Sequence, residues 1–164
     1  MGKMKITLVS SPVDSGKTSY LQKRFSDHSG AAGILSLPVF RNGRKRGYYA
    51  YDIGSGEAML LASELPIHPS FTFRRFYFSE YGFDFARERI LSSFHSPVLV
   101  IDEIGPLELE GAGFAPALEE CARNYGNHLI LVVRDHLRDE VMTAFGLGNF
   151  EISITSPREE GAIP

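Results

Sequence analysis

The chain has 164 residues, 43% hydrophobic and 23% charged, with a formal net charge of −3. That length suits one domain with a real core and is short for two, and the composition excludes collagen-like and disordered classes. The charge excludes a global pull toward nucleic acid or anionic lipid, so an anion site has to be local, and neither nucleic acid nor membrane is expected as a partner.

In chain order, "MGKMKITLVSS" leads straight into a strand pattern over 6–10 and lacks the layout of a signal peptide. A helix follows from about Lys17, with Leu21 and Phe25 on one face. Residues 33–62 carry two turn signals, "RNGRK" and "GSGE", between strand-like stretches, which predicts antiparallel hairpins. "FTFRRFYF" (71–78) alternates with period two and reads as one further strand. Next comes a helix that Ser79 can cap, with Phe83, Ala86, Ile90 and Phe94 on one face, ending before Pro97. "PVLVID" (97–102) and "LILVV" (129–133) are strands buried on both faces, far too short to span a membrane. Between them, "FAPALEECARNYG" predicts a helix apolar at Phe114, Ala117, Leu118, Cys121 and Ala122, with Gly126 placed to end it. "DHLRDEVMTAF" predicts another, capped by Asp135 and carrying Leu137, Val141 and Met142 inward. "FEISI" (150–154) closes the sheet, with Phe150, Ile152 and Ile154 on one side. Buried strands alternating with helices predict an α/β fold, a mostly parallel central sheet flanked by helices, with the antiparallel hairpins attached to it or extending its edge. The lone Cys121 excludes an internal disulfide framework and reads as core packing in a reducing compartment. The expectation is one cytoplasmic domain over 1–156 and a flexible, aperiodic tail over 157–164.

Chemistry concentrates at two strand ends. "SSPVDSGKTSY" runs from strand to helix through a loop that ends as G-K-T, the close of a phosphate-binding loop. Such a loop turns unpaired backbone N–H groups and a helix dipole toward an anion. Asp14, Ser15, Gly16, Lys17, Thr18 and Ser19 are the candidate nucleotide-binding residues. Gly16 lets the backbone approach a phosphate, Lys17 reaches the β/γ oxygens, and Thr18 ligates Mg2+. Two departures stand out: Ser11 replaces the first glycine, and Asp14 brings a carboxylate that has to turn outward. The second strand end carries Asp102 and Glu103. An acid there holds Mg2+ or its waters, and a carboxylate beside it can deprotonate an attacking water. The pleat points the two to different sides, so they can divide those tasks. The arrangement predicts a carboxylate pair on the strand neighbouring the loop strand, at the sheet edge where open α/β folds take ligands.

"DSGKTSYL" together with "VLVIDEIGPLELEGAGF" resembles the THEP-type nucleoside-triphosphatases, also called cancer-related nucleoside-triphosphatases. "DEIGPLEL" is the most specific part, and with the arginine-and-glycine-rich hairpin and "FDFARERIL" the resemblance spans most of residues 5–134. It implies a RecA-like P-loop fold and slow, Mg2+-dependent hydrolysis of ATP, GTP and other nucleoside triphosphates. It also carries the family roles onto Lys17, Thr18, Asp102 and Glu103, while Ser11 and the "PVDS" loop body depart from the usual glycine-rich loop.

Several other residues bear on the chemistry. Arg41, Arg44, Lys45 and Arg46 crowd one turn, as a solvated tip or as an arm reaching phosphate or base. Arg74 and Arg75 alternate on their strand, so only one can face the site. Arg134 ends a strand on the acidic edge, where it can sense a γ-phosphate, and a protein partner is the other source of such an arginine. Glu108 and Glu110 read as exposed carboxylates by default, with orienting the loop near the metal as the alternative; Tyr48, Tyr49, Tyr51 and Tyr81 read as strand packing or base stacking; the five histidines lack metal-ligand spacing. Hydrolysis is the leading expectation; a nucleotide or small-molecule kinase and a nucleotide-dependent switch use the same loop.

Overall fold

The computed structural model describes residues 3–11, 17–25 and 30–156. Nine strands form one sheet: β1 (Lys5–Ser11), β2 (Ala31–Arg41), β3 (Arg44–Asp52), β4 (Ala58–Ser63), β5 (Ser70–Phe73), β6 (Phe76–Ser79), β7 (Val98–Ile104), β8 (His128–Arg134) and β9 (Glu151–Thr155). The helices are α1 (Lys17–Phe25), α2 (Glu80–Leu91), α3 (Pro106–Leu109), α4 (Ala115–Asn124) and α5 (Arg138–Ala144). Strand order is β5-β6-β4-β3-β2-β7-β8-β1-β9. From β2 to β9 every pairing is parallel, and from β2 to β5 every pairing is antiparallel. β2 is the hinge between two halves.

The apolar runs explain the parallel half. Along β7 and β8, Leu99, Ile101, Leu129, Leu131 and Val133 face one core with Ala86, Ile90, Leu118 and Val141 of α2, α4 and α5. Val100, Ile130 and Val132 face the other, where α1 contributes Leu21 and Phe25. These strands are buried on both faces, so nearly every position has to be apolar. Cys121 is buried as expected, and burial pushes its thiol up to about 12, far from reactivity. Ser79 caps α2 by accepting from the Gly82 amide at 3.0 Å. Among the described residues, no helix is long and apolar enough to cross a membrane.

Local readings fail where a turn or a distant partner decides. "FTFRRFYF" is two strands, β5 and β6, because Arg74 takes a left-handed φ of 55° and folds the run back on itself. Arg74 and Arg75 therefore share a turn and do not alternate along a strand. α4 stops at Asn124 because Tyr125 turns extended, before Gly126 is reached. Asp135 opens a short 3-10 turn ahead of α5 without capping it, since its carboxylate accepts from the Ser10 hydroxyl at 2.7 Å. Ile154, in phase with Phe150 and Ile152, is 48% exposed on the edge strand β9. The tail over 157–164 lies outside the described residues.

Candidate nucleotide site

Because the strands from β2 to β9 run parallel, the ends of β1, β7 and β8 share one edge of the sheet. β1 ends at Ser11 and α1 begins at Lys17, so strand, loop and helix follow in the expected order. Lys17, Thr18 and Ser19 form the first turn of α1, and the loop body with Asp14, Ser15 and Gly16 lies outside the described residues. Asp102 and Glu103 stand near the end of β7 on the same edge. They are not on the strand next to the loop strand: β8 intervenes, paired with β1 on one side and β7 on the other. The chain that leaves β7 crosses through α4 and returns between the two, which sets them two strand spacings, roughly 10 Å, apart. Strand adjacency is a crossover property and leaves no mark in either motif.

Asp102 and Glu103 take different partners at a break in the regular pleat, with Ile101 and Ile104 on either side facing the same core. Pairing of β7 with β8 slips between Ile101 and Ile104, and the two acids lie inside the irregularity. Asp102 is fully buried, and its Oδ2 accepts from the backbone N–H of Ser36 at 3.1 Å. The Ser36 hydroxyl donates to the Asp102 carbonyl, so one β2 residue holds both ends of the acid. Ser36 was not among the sequence candidates; a serine inside a buried apolar strand, "GILSL", is the signal that points to it. Glu103 turns the other way. Its Oε1 lies 3.3 Å from Arg134 Nε, with both side chains about one-quarter exposed (25% and 29%). Arg134 in turn pairs in register with Ser11. A single residue of β8 thus touches the water-activating candidate and flanks the root of the phosphate loop.

Glu108, expected in solvent, is buried. It sits on α3, where Oε1 accepts from the Gly105 amide at 2.9 Å and Oε2 from the Phe114 amide at 3.0 Å. Burial pushes its carboxyl up to about 7 against those two amides, and the Glu103 charge adds to the rise. The carboxylate stitches the loop after the acidic strand onto the start of α4. Gly113 makes room for it: at φ 60°, an added Cβ would stand 2.0 Å from Glu108 Oε2. Glu110 is exposed.

The basic turn is a separate feature. Asn42 and Gly43 both take positive φ, 54° and 73°, making a tight hairpin between β2 and β3. Arg44 and Arg46 reach Glu64 at 3.0 and 2.8 Å, and Arg75 joins them at 3.1 Å. Arg41 lies five residues past Ser36, roughly 17 Å along the strand, so the tip does not reach the acidic pair. Tyr48 and Tyr51 are half-buried, while Tyr49 and Tyr81 are exposed at 42% and 63%.

A sequence model of the NTPase family matches residues 6–155 of the chain. No curated protein matches it. Among solved structures, the crystal structure of THEP1 from the hyperthermophile Aquifex aeolicus superimposes with a TM-score of 0.69 at 17% identity, covering 97% of this chain and 92% of that one. The solution structure of a human cancer-related nucleoside triphosphatase gives 0.64 at 20% identity, covering 95% and 88%. Those likenesses establish the P-loop α/β fold expected from the sequence.

Proposed function

The chain belongs to the NTPase family, and from that premise we propose that it hydrolyses nucleoside triphosphates, ATP and GTP among them, slowly and with Mg2+. The observation that carries this is the shared sheet edge. It gathers the start of α1 at Lys17, the buried carboxylate of Asp102 and the partly exposed carboxylate of Glu103.

The donor set fits Mg2+, a hard cation that takes one or two carboxylates together with substrate phosphates. Asp102 offers a carboxylate already oriented by the Ser36 amide, and Thr18 opens the helix at the phosphate loop. When bound, the cation offsets negative charge on the β/γ phosphates. The protein's own groups do the rest. Lys17 neutralises the transferring phosphoryl group, and the amides from Asp14 to Ser19 hold its oxygens. Glu103 takes a proton from an in-line water as the water oxygen bonds to the γ-phosphorus. The bond to the β-phosphate oxygen then breaks, releasing nucleoside diphosphate and phosphate. Arg134 holds Glu103 in place beforehand, and the same guanidinium can meet the γ-phosphate once nucleotide enters. Arg134 is the arginine that pairs with Glu103, and an arginine already engaged by a carboxylate is in keeping with slow turnover. Base identity is left unread by this set of residues, in keeping with broad nucleotide use.

The test follows the label. With Mg2+ and γ-labelled triphosphate alone, free phosphate should appear at a steady rate. Label moving instead to an added acceptor would make the protein a kinase, and tight retention without turnover would make it a switch. Lys17→Ala should weaken both binding and turnover; unchanged affinity would remove the loop from the site.

A further inference from the structure

The antiparallel half carries a feature that nucleotide hydrolysis does not use. The β2–β3 turn and the β5–β6 turn emerge at the same end of the sheet, because β3, β4 and β6 are paired through Gly47, Ser63 and Tyr77. Arg41, Arg44 and Arg46 come from the first turn, and Arg74 and Arg75 from the second. Glu64 lies between them and pairs with three of the five, so four positive charges remain in excess in a chain that nets −3. Three strand spacings separate the turns, which lays the cations in a row roughly 14 Å long. That length matches two to three phosphates of an extended single strand.

The row is also aromatic. The Arg75 guanidinium stands over the Phe76 ring at 4.7 Å and that of Arg74 over Phe73 at 5.4 Å, each ring half-buried. Phe40, beside Arg41, is 61% exposed. Folding leaves that ring in water although the parallel half has ample apolar cover, and a bare phenylalanine among arginines is a stacking platform. Charge alone would suit any polyanion; cations interleaved with open rings and ring-backed guanidinium planes suit bases as well as phosphates. We infer that this arginine row, with Phe40 beside it, is a binding site for single-stranded nucleic acid. The site is local, so it is compatible with the acidic whole, and it stands apart from the proposed hydrolysis.

The test uses the full chain without nucleoside triphosphate and reads fluorescence anisotropy of a labelled oligothymidylate about twenty nucleotides long. Binding should weaken with salt at a log–log slope of about −2, as expected for some three phosphate contacts. Arg41→Gln with Arg74→Asn and Arg75→Gln should reduce affinity at least about tenfold and bring the slope near zero, with the melting temperature unchanged. Phe40→Ser, a substitution in solvent, should weaken binding roughly tenfold while the slope stays, the mark of lost stacking and not of lost charge. Polyglutamate should compete poorly. The inference is overturned if the oligonucleotide does not bind in low salt, or if the arginine variant binds like wild type. It is equally overturned if polyglutamate competes as well as the oligonucleotide, or if Lys17→Ala abolishes binding that the arginine variant retains.

Discussion

The two halves of the sheet spend their residues differently. In the parallel half, β8 is buried from Leu129 to Val133 and bears polar groups only at its ends. The groups of the candidate site lie at one rim: Asp102, Glu103 and Arg134, with Ser10 and Asp135 beside them. In the antiparallel half, β3 is buried only at Gly47, Ala50 and Asp52 and β4 only at Leu61 and Ala62, and polar and aromatic side chains sit all along β3. The first half behaves as a platform with a reactive edge. The second behaves as a surface. Substitutions should therefore have all-or-none effects on chemistry at the rim of the first and graded effects on binding in the second.

The sharpest contrast is between Glu103 and Arg41. Glu103→Gln should keep nucleotide affinity and lose about 10²–10⁴ in turnover, the usual reach of general-base catalysis. Arg41→Gln, at the far tip, should leave turnover unchanged. Steady-state phosphate release with both variants decides it; turnover that survives in Glu103→Gln would take that residue out of the mechanism, and turnover lost in Arg41→Gln would dissolve the distinction between the halves.

Next in size is the loop behind the acidic strand. Gly113→Ala adds a Cβ 2.0 Å from Glu108 Oε2 and 2.9 Å from Leu107 Cδ2, at a left-handed φ of 60°. Neither the backbone nor the buried carboxylate has room to yield, so unfolding free energy should fall by about 3–4 kcal/mol in urea titration. An alanine at Gly43, where an added Cβ meets nothing within 4 Å, should incur only the backbone term, about 1–2 kcal/mol.

The same loop should make stability depend on pH. Glu108 is raised from an ordinary 4.5 to about 7 chiefly by burial. The folded chain thus holds a proton there that the unfolded chain gives up, so stability from this group is complete below pH 4.5 and is lost as pH rises through about 7. The loss is on the order of 3 kcal/mol. Glu108→Gln should start lower, because its amide can accept from only one of the two N–H donors, and should lack this fall. Parallel stability–pH curves for the two proteins would contradict the assignment.

These tests also mark how far the sequence could be read. The acidic strand end, the Ser79 cap and both turns of residues 33–62 were legible because each depends on neighbours within a few positions. The burial of Glu108 was not, since it depends on Gly113 making a left-handed turn and on α4 presenting the Phe114 amide. Nor was the insertion of β8 between β1 and β7, or the meeting of Arg134 with Glu103 that follows from it. "FTFRRFYF" misled because two short strands on either side of an Arg-Arg turn keep the same alternation as one long strand.

The smallest effect comes from the junction of the halves. Ser36 belongs to β2, which pairs parallel with β7 through Ile34 and antiparallel with β3 thereafter. Its amide holds the Asp102 carboxylate and its hydroxyl holds the Asp102 carbonyl. Ser36→Ala removes only the second, leaving a buried carbonyl short of one donor at about 1 kcal/mol. The carboxylate keeps its amide, so turnover should fall less than tenfold while the Mg2+ concentration for half-maximal turnover rises. Nucleotide affinity measured without Mg2+ should not move. If that affinity falls along with turnover, Ser36 acts by supporting the whole edge, and the junction transmits more between the halves than one hydrogen bond on Asp102 accounts for.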